Sequence, residues 1–133
     1  MIRKLDNVKL VKSQKIKKEN LIIYNNLDKE VFKVKRVFSI IENKGAIRGK
    51  HAHKKCKQFL ICNLGKIKII CKDGTDTKTF ILSSPSRGLL IPEGIWATQI
   101  YLANKNILNV FCDRDFTESD YIRKYKNYLH IYK

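Results

Sequence analysis

Between Lys57 and Cys112 the chain alternates short apolar stretches with turn residues so regularly that helices of ordinary length have no room. The run Lys57 to Asn63 ends at Leu64-Gly65, Lys66 to Lys72 ends at Asp73-Gly74, and Thr77 to Leu82 stops before Ser83 to Gly88. Asp-Gly is a strong hairpin signal because both residues tolerate the positive φ of a two-residue turn. Further stretches cover Leu89 to Ile91, Ile95 to Leu102 and Ile107 to Cys112, with Ala103-Asn104-Lys105-Asn106 joining the last two. Short strands with a turn roughly every eight to twelve residues predict an all-β sandwich or barrel.

Upstream, apolar residues recur at strand-like intervals from Val8 to Ile23 and from Val31 to Ile40, separated by a polar turn at Asn25-Asn26-Leu27-Asp28. In the second stretch Val34, Arg36, Phe38 and Ile40 share one face by the two-residue period, so Arg36 points where its apolar neighbours point. A basic group facing inward needs a partner. At the other end the period changes. Tyr121, Tyr125, Tyr128 and Tyr132, with Ile122 and Leu129 beside them, predict a short amphipathic C-terminal helix. Thr117-Glu118-Ser119-Asp120 reads as its N-terminal cap and acidic first turn.

A chain of 133 residues, 44% hydrophobic, suits one domain over residues 1–133. No apolar run approaches the roughly 20 residues of a membrane span, and the polar start Met1-Ile2-Arg3-Lys4-Leu5-Asp6 lacks the core of a secretory signal, so a soluble cytoplasmic protein is expected. Cys56, Cys62, Cys71 and Cys112 match no zinc or disulfide spacing and are expected as free thiols. The net charge of +16 invites a polyanion. Its lysines, however, are spread through every segment, and no nucleic-acid-binding motif accompanies them, so no nucleic-acid partner is expected.

Against this background Gly45, His51, His53, Gln58 and Gly65 fall at the spacing of the first cupin signature, G-x5-H-x-H-x4-E-x6-G, with Gln58 where the glutamate ligand normally stands. Pro92 and Gly94 resemble the second signature, P-x-G-x2-H, with Ala97 in place of its histidine. The resemblance implies a double-stranded β-helix, the cupin jelly-roll barrel. The metal set of such a barrel is half lost here, because an amide is a weak ligand and a methyl none. No metal and no cofactor are expected. His51 and His53, two positions apart on a strand, project to one face about 7 Å apart, where free imidazoles can move protons near neutral pH.

The stretches Phe32-Lys33-Val34-Lys35-Arg36-Val37-Phe38 and Arg48-Gly49-Lys50-His51-Ala52-His53-Lys54-Lys55-Cys56-Lys57-Gln58 resemble the pattern IKRVF…RGxHAHKxxxQ of the sugar-nucleotide 3,4-ketoisomerases. The similarity continues through Gly88-Leu89-Leu90-Ile91-Pro92, Trp96 and Asp120-Tyr121-Ile122-Arg123. It implies metal-independent action on dTDP-4-keto-6-deoxyglucose: removal of the C3 proton, an enediolate, and reprotonation at C4 to leave a 3-keto sugar. The catalytic pair would be His51, as carbon base, and His53, although spacing alone does not order them. Arg48 or Arg36 would stabilise the oxyanion or the diphosphate. Gln58 would bind a sugar hydroxyl or orient a histidine. Lys18, with Lys17, would stand at the pocket mouth and favour the galacto over the gluco product, destined for a 3-amino-3,6-dideoxy sugar. A homodimer is expected.

Two other readings compete. A dTDP-sugar 3,5-epimerase shares barrel and substrate but pairs a histidine with a carboxylate and a tyrosine, and no Asp or Glu adjoins the His-Ala-His segment. A non-catalytic sugar-nucleotide-binding cupin would not depend on its histidines at all.

Overall fold

The computed structural model describes residues 4–16 and 20–132. Their strands are β1 (Lys9–Lys12), β2 (Gln14–Ile16), β3 (Leu21–Ile23), β4 (Arg36–Asn43), β5 (Ile47–His53), β6 (Gln58–Leu64), β7 (Ile67–Lys72), β8 (Thr77–Leu82), β9 (Arg87–Ile91), β10 (Trp96–Tyr101), β11 (Lys105–Cys112) and β12 (Tyr121–Ile122). Two five-stranded sheets, ordered β1-β9-β6-β11-β4 and β12-β5-β10-β7-β8, carry the molecule, and β2 pairs with β3 in a small ribbon. The pairings are antiparallel and mostly join strands distant in sequence, the topology of the jelly-roll barrel.

The alternating pattern explains what fills the space between the sheets. Leu60, Cys62, Ile67, Ile69, Cys71, Leu89, Tyr101, Leu108, Val110 and Cys112 are buried together there, with Phe38, Ile40 and Ala97 packed against them. Burying each large aliphatic side chain is worth about 1.5–3 kcal/mol. Arg36, Phe38, Ile40 and Glu42 occupy alternate positions of β4, so the arginine does share its face with residues that touch the core. The outer side of the first sheet is covered by the segment around Tyr24, Leu27, Val31 and Phe32, packed on Phe59 and Ile61.

Several local expectations are corrected. The chain from 31 to 35 is not strand, so Val34 does not share the face of Arg36, Phe38 and Ile40 and packs instead with Phe59 and Ile61 outside the sheet; the Asn25 to Asp28 turn opens a one-turn helix, α1 (Leu27–Glu30), with Asn26 left-handed at its start. The first apolar stretch is broken into three short strands. Asn106, expected in a loop, is fully buried in β11. Its Oδ1 accepts from the Lys66 and Ala103 amides at 3.0 and 3.2 Å, and its Nδ2 donates to the Glu42 and Ala103 carbonyls at 3.1 and 2.9 Å. Gly65, in the left-handed region at φ +94°, closes on this knot, and a Cβ there would lie 2.5 Å from the Lys105 carbonyl oxygen.

The C-terminal helix is shorter than its tyrosine stripe suggests. It is α2 (Tyr125–Tyr132), and Tyr121 belongs to β12 rather than to the helix. Thr117 makes no side-chain cap; residues Glu118–Asp120 form a single 3-10 turn. Tyr128, fully buried, packs with Trp96, Ala52 and Ile122 against the outside of the second sheet. Its hydroxyl lies 2.6 Å from the Gly94 carbonyl oxygen and 3.1 Å from that of Lys72. No helix among the described residues is long and apolar enough to cross a membrane.

Candidate active site

Strand β5 carries both histidines on the inner face of the second sheet, because His51 pairs with Ala97 of β10 and Ala97 packs on the core. Their rings meet edge to face with centroids 5.0 Å apart. Tyr121 pairs with His53 from the other edge and lays its ring 4.3 Å from His53 and 5.1 Å from His51. Arg123 lies 4.2 Å over that tyrosine and is held by Glu118 through contacts of 2.6 and 2.8 Å. Three aromatic rings thus form one cluster beside the barrel interior.

The residue that sequence reasoning missed is Asp120. Its Oδ2 lies 3.0 Å from His53 Nδ1, while Oδ1 accepts from the Lys55 amide at 2.7 Å and Oδ2 from the Cys56 amide at 3.3 Å. Burial alone would raise its pKa, yet the hydrogen bonds from His53 and the two amides hold the carboxyl below the ordinary range. An ionised carboxylate only accepts, so His53 carries its proton on Nδ1 and presents the lone pair at Nε2. Nε2 is buried without a protein partner. In the sequence Asp120 stands 67 positions away, where it read as part of a helix cap; the resemblance through Asp120-Tyr121-Ile122-Arg123 was the one signal that could have drawn it into the site. The absence of a carboxylate beside the pair, used above against an epimerase, therefore does not hold in space.

Both imidazoles are neutral at pH 7. Burial drives His51 down to about 4, with the nearby His53 and Arg123 adding to it against a hydrogen bond to the Gly49 backbone. For His53 burial again dominates and lowers the pKa, although Asp120 pulls the other way. A neutral imidazole is the form that accepts a proton from carbon.

The remaining predicted residues divide. Arg36 faces inward between Phe38 and Phe116, 5.6 and 5.7 Å from their rings, with its Nη2 3.4 Å from Cys112 Sγ. Gln58 is buried, but its amide is turned to Cys112 Sγ at 3.7 Å and not to a histidine. Arg48 pairs with Gln99 in register and so shares the inner side, where it is bound 2.6 Å from Glu42 and remains 54% exposed. Among the described residues its hydrogen-bond partner is Glu42 and not a histidine. Lys18, like Lys17, lies outside the described residues.

These groups do not fit the divalent metal of other cupins. Gln58 is engaged elsewhere, and Ala97 offers a methyl beside His51. A second grouping, His53, Cys56 and Asp120, has donor atoms within 4.8 Å of one another. There the histidine and carboxylate are spent on each other, and the Arg36 guanidinium lies 3.9 Å from Cys56 Sγ, where its charge opposes a cation.

The family described as FdtA: WxcM-like, C-terminal, matches residues 4–133. A TDP-4-oxo-6-deoxy-alpha-D-glucose-3,4-oxoisomerase of Aneurinibacillus thermoaerophilus is 36% identical over 98 residues, 73% of this chain and 70% of that one. Among solved structures, the sugar 3,4-ketoisomerase QdtA of Thermoanaerobacterium thermosaccharolyticum in complex with TDP superposes with a TM-score of 0.88 at 34% identity, over 96% of each chain. The TDP-quinovose 3,4-ketoisomerase WlaRB of Campylobacter jejuni does so at 0.85 and 32%, over 93% of this chain and 98% of its own.

Proposed function

This chain belongs to the FdtA family, WxcM-like, C-terminal, and from that premise we propose that it is an isomerase converting dTDP-4-keto-6-deoxyglucose to a 3-keto-6-deoxyhexose by histidine acid/base catalysis. The observation that carries the reading is the pairing of two neutral imidazoles of unequal support, His51 without a carboxylate and His53 backed by Asp120.

The C4 ketone acidifies the C3 proton. His51 takes that proton and the electron pair moves to O4, forming the enediolate. His53 accepts the O3 proton at Nε2 and returns it to O4, with Asp120 balancing the charge while the imidazole holds it. His51 then gives its proton to C4 as O3 becomes the ketone. Protons and electrons balance with no outside redox partner. Arg36 stabilises the enediolate oxygen, since a fixed cation in a site poor in water acts on charge as it develops. Arg48, nearer solvent and tied to Glu42, would serve the diphosphate. Of the two C4 epimers we assign the galacto product, on the basic pair Lys17-Lys18. A 3-ketone is the group that an aminotransferase consumes, which places the product on a route to a 3-amino-3,6-dideoxy sugar.

Proton NMR of the substrate incubated with protein in D2O tests this. Deuterium at C4 together with a 3-keto sugar is expected, and the coupling constants separate galacto from gluco. Because Asp120 and Tyr121 supply the carboxylate and ring that an epimerase uses, 3,5-epimerisation is the second reading; exchange at C3 and C5 without ketone migration would establish it instead. No exchange despite TDP binding would leave a binding module.

We also propose a homodimer. On the outer face of β4, Val37 and Ile41 are 53% and 64% exposed, an apolar strip that a second copy would cover. Sedimentation equilibrium is expected to give twice the chain mass, and a monomer at micromolar concentration would refute it.

A further inference from the structure

Arg36 raises a question of charge. Its Nε is buried without a partner, and among the described residues no carboxylate pairs with its guanidinium. A half-buried cation with no anion beside it is costly. The register shows what stands next to it. Cys112, fully buried at the end of β11, is opposite Arg36 of β4 on one side and opposite Gln58 of β6 on the other. The three residues form one row across the inner face of the first sheet.

Only donors meet the Cys112 sulfur in that row: Arg36 Nη2 at 3.4 Å and Gln58 Nε2 at 3.7 Å. Cys56 differs. Its sulfur sits 3.4 Å from the Lys57 carbonyl oxygen and within hydrogen-bonding reach of the Cys112 sulfur, two acceptors that favour a protonated thiol, and it is farther from Arg36, at 3.9 Å. We propose that Cys112 is held as a thiolate, the buried counter-ion that keeps Arg36 placed in the barrel for the reaction. The positioning half of this rests on the reading of Arg36 given above; the ionisation half does not.

Electrostatics point the same way. The Cys56 thiol, Arg36 and Gln58 hold the Cys112 thiol below its usual range against the opposing effect of burial, whereas Cys56 is pushed up. Cys62 and Cys71 are pushed up by burial and stay protonated. The row also accounts for an amide at position 58. A glutamate there would set a second anion against the sulfur and compete for the guanidinium, driving the thiol back to its neutral form. Gln58 donates and adds no charge.

The ultraviolet absorbance of the thiolate in the reduced, full-length protein tests this without any substrate. At pH 7 the wild type is expected to show one thiolate per chain, lost in C112S, retained in C56S and lost in Q58E. In turnover, C112S is expected to lower kcat/KM by roughly ten-fold or more, with TDP affinity in calorimetry unchanged. A neutral-pH spectrum that C112S leaves as it was overturns the thiolate. A thiolate that is present, with C112S turning over within two-fold of wild type, overturns the positioning role. Should C112S not fold, the spectra of wild type, C56S and Q58E still decide the ionisation. A protein without isomerase activity would show itself in the wild-type assay, apart from the spectrum.

Discussion

Replacing His51 by asparagine is expected to lower kcat by roughly 10³-fold or more while TDP still binds, because it removes the group proposed above as the general base for carbon. The same change at His53 is expected to cost a similar factor by blocking transfer between O3 and O4. Single-turnover NMR in D2O separates the two. His51→Asn should abolish exchange at C3, whereas His53→Asn should leave slow exchange without ketone migration. If both variants turn over within a factor of ten of wild type, histidine catalysis is wrong. The pH profile carries an independent signature. With the His51 pKa at about 4 and that of His53 also lowered, the acid limb of kcat/KM is expected below the ordinary imidazole value, with the His51 step near pH 4. The stability consequence has a definite sign. Between the unfolded and folded pKa of His51 the unfolded chain binds more protons, so stability falls as pH drops through that window.

Asp120→Asn is expected to reduce kcat by roughly 10²-fold, with TDP affinity unchanged and little change in Tm. The amide keeps the size of the carboxylate and can still accept from the Lys55 or Cys56 amide, but it cannot balance an imidazolium. Asp120→Ala should do more, because it also strands those two backbone donors, at about 1–3 kcal/mol each where they are buried. The difference between the variants isolates charge from scaffolding. Full activity in Asp120→Asn would show that the carboxylate is only a structural clasp for the loop after β5.

The contrast between His53 and Asp120 shows how much of this protein can be read along the chain. The barrel and the histidine pair were legible because strand period, turn chemistry and motif spacing are local properties, and the face of Arg36 followed from the same two-residue period. Asp120 was hidden by distance and by disguise: Thr117 to Asp120 has the composition of a helix cap, yet the chain there makes a 3-10 turn and a two-residue strand against β5. Tyr121 was hidden the same way, since its spacing to Tyr125 fits a helix that begins only at Tyr125. The facing of Gln58 toward Cys112 depends on the pairing of β6 with β11, and register between strands so far apart is written in no single segment. Asn106 was misplaced because polarity suggested a loop, whereas its four hydrogen bonds make burial inexpensive.

Arg48 and His51 are three positions apart, an odd number, and an ideal strand would send them to opposite sides. They nevertheless share a side, because Lys50 sits left-handed at φ 57° and is skipped where the register slips between Ala97 and Thr98. Parity along this strand is therefore reset by one unpaired residue. A relative lacking that residue would keep the same residue types in its sequence, histidine pair included, and would still turn its arginine to the other side of the sheet. Comparing such relatives by identity alone would score the two strands as alike; counting residues across the bulge is what reveals on which side the arginine lies.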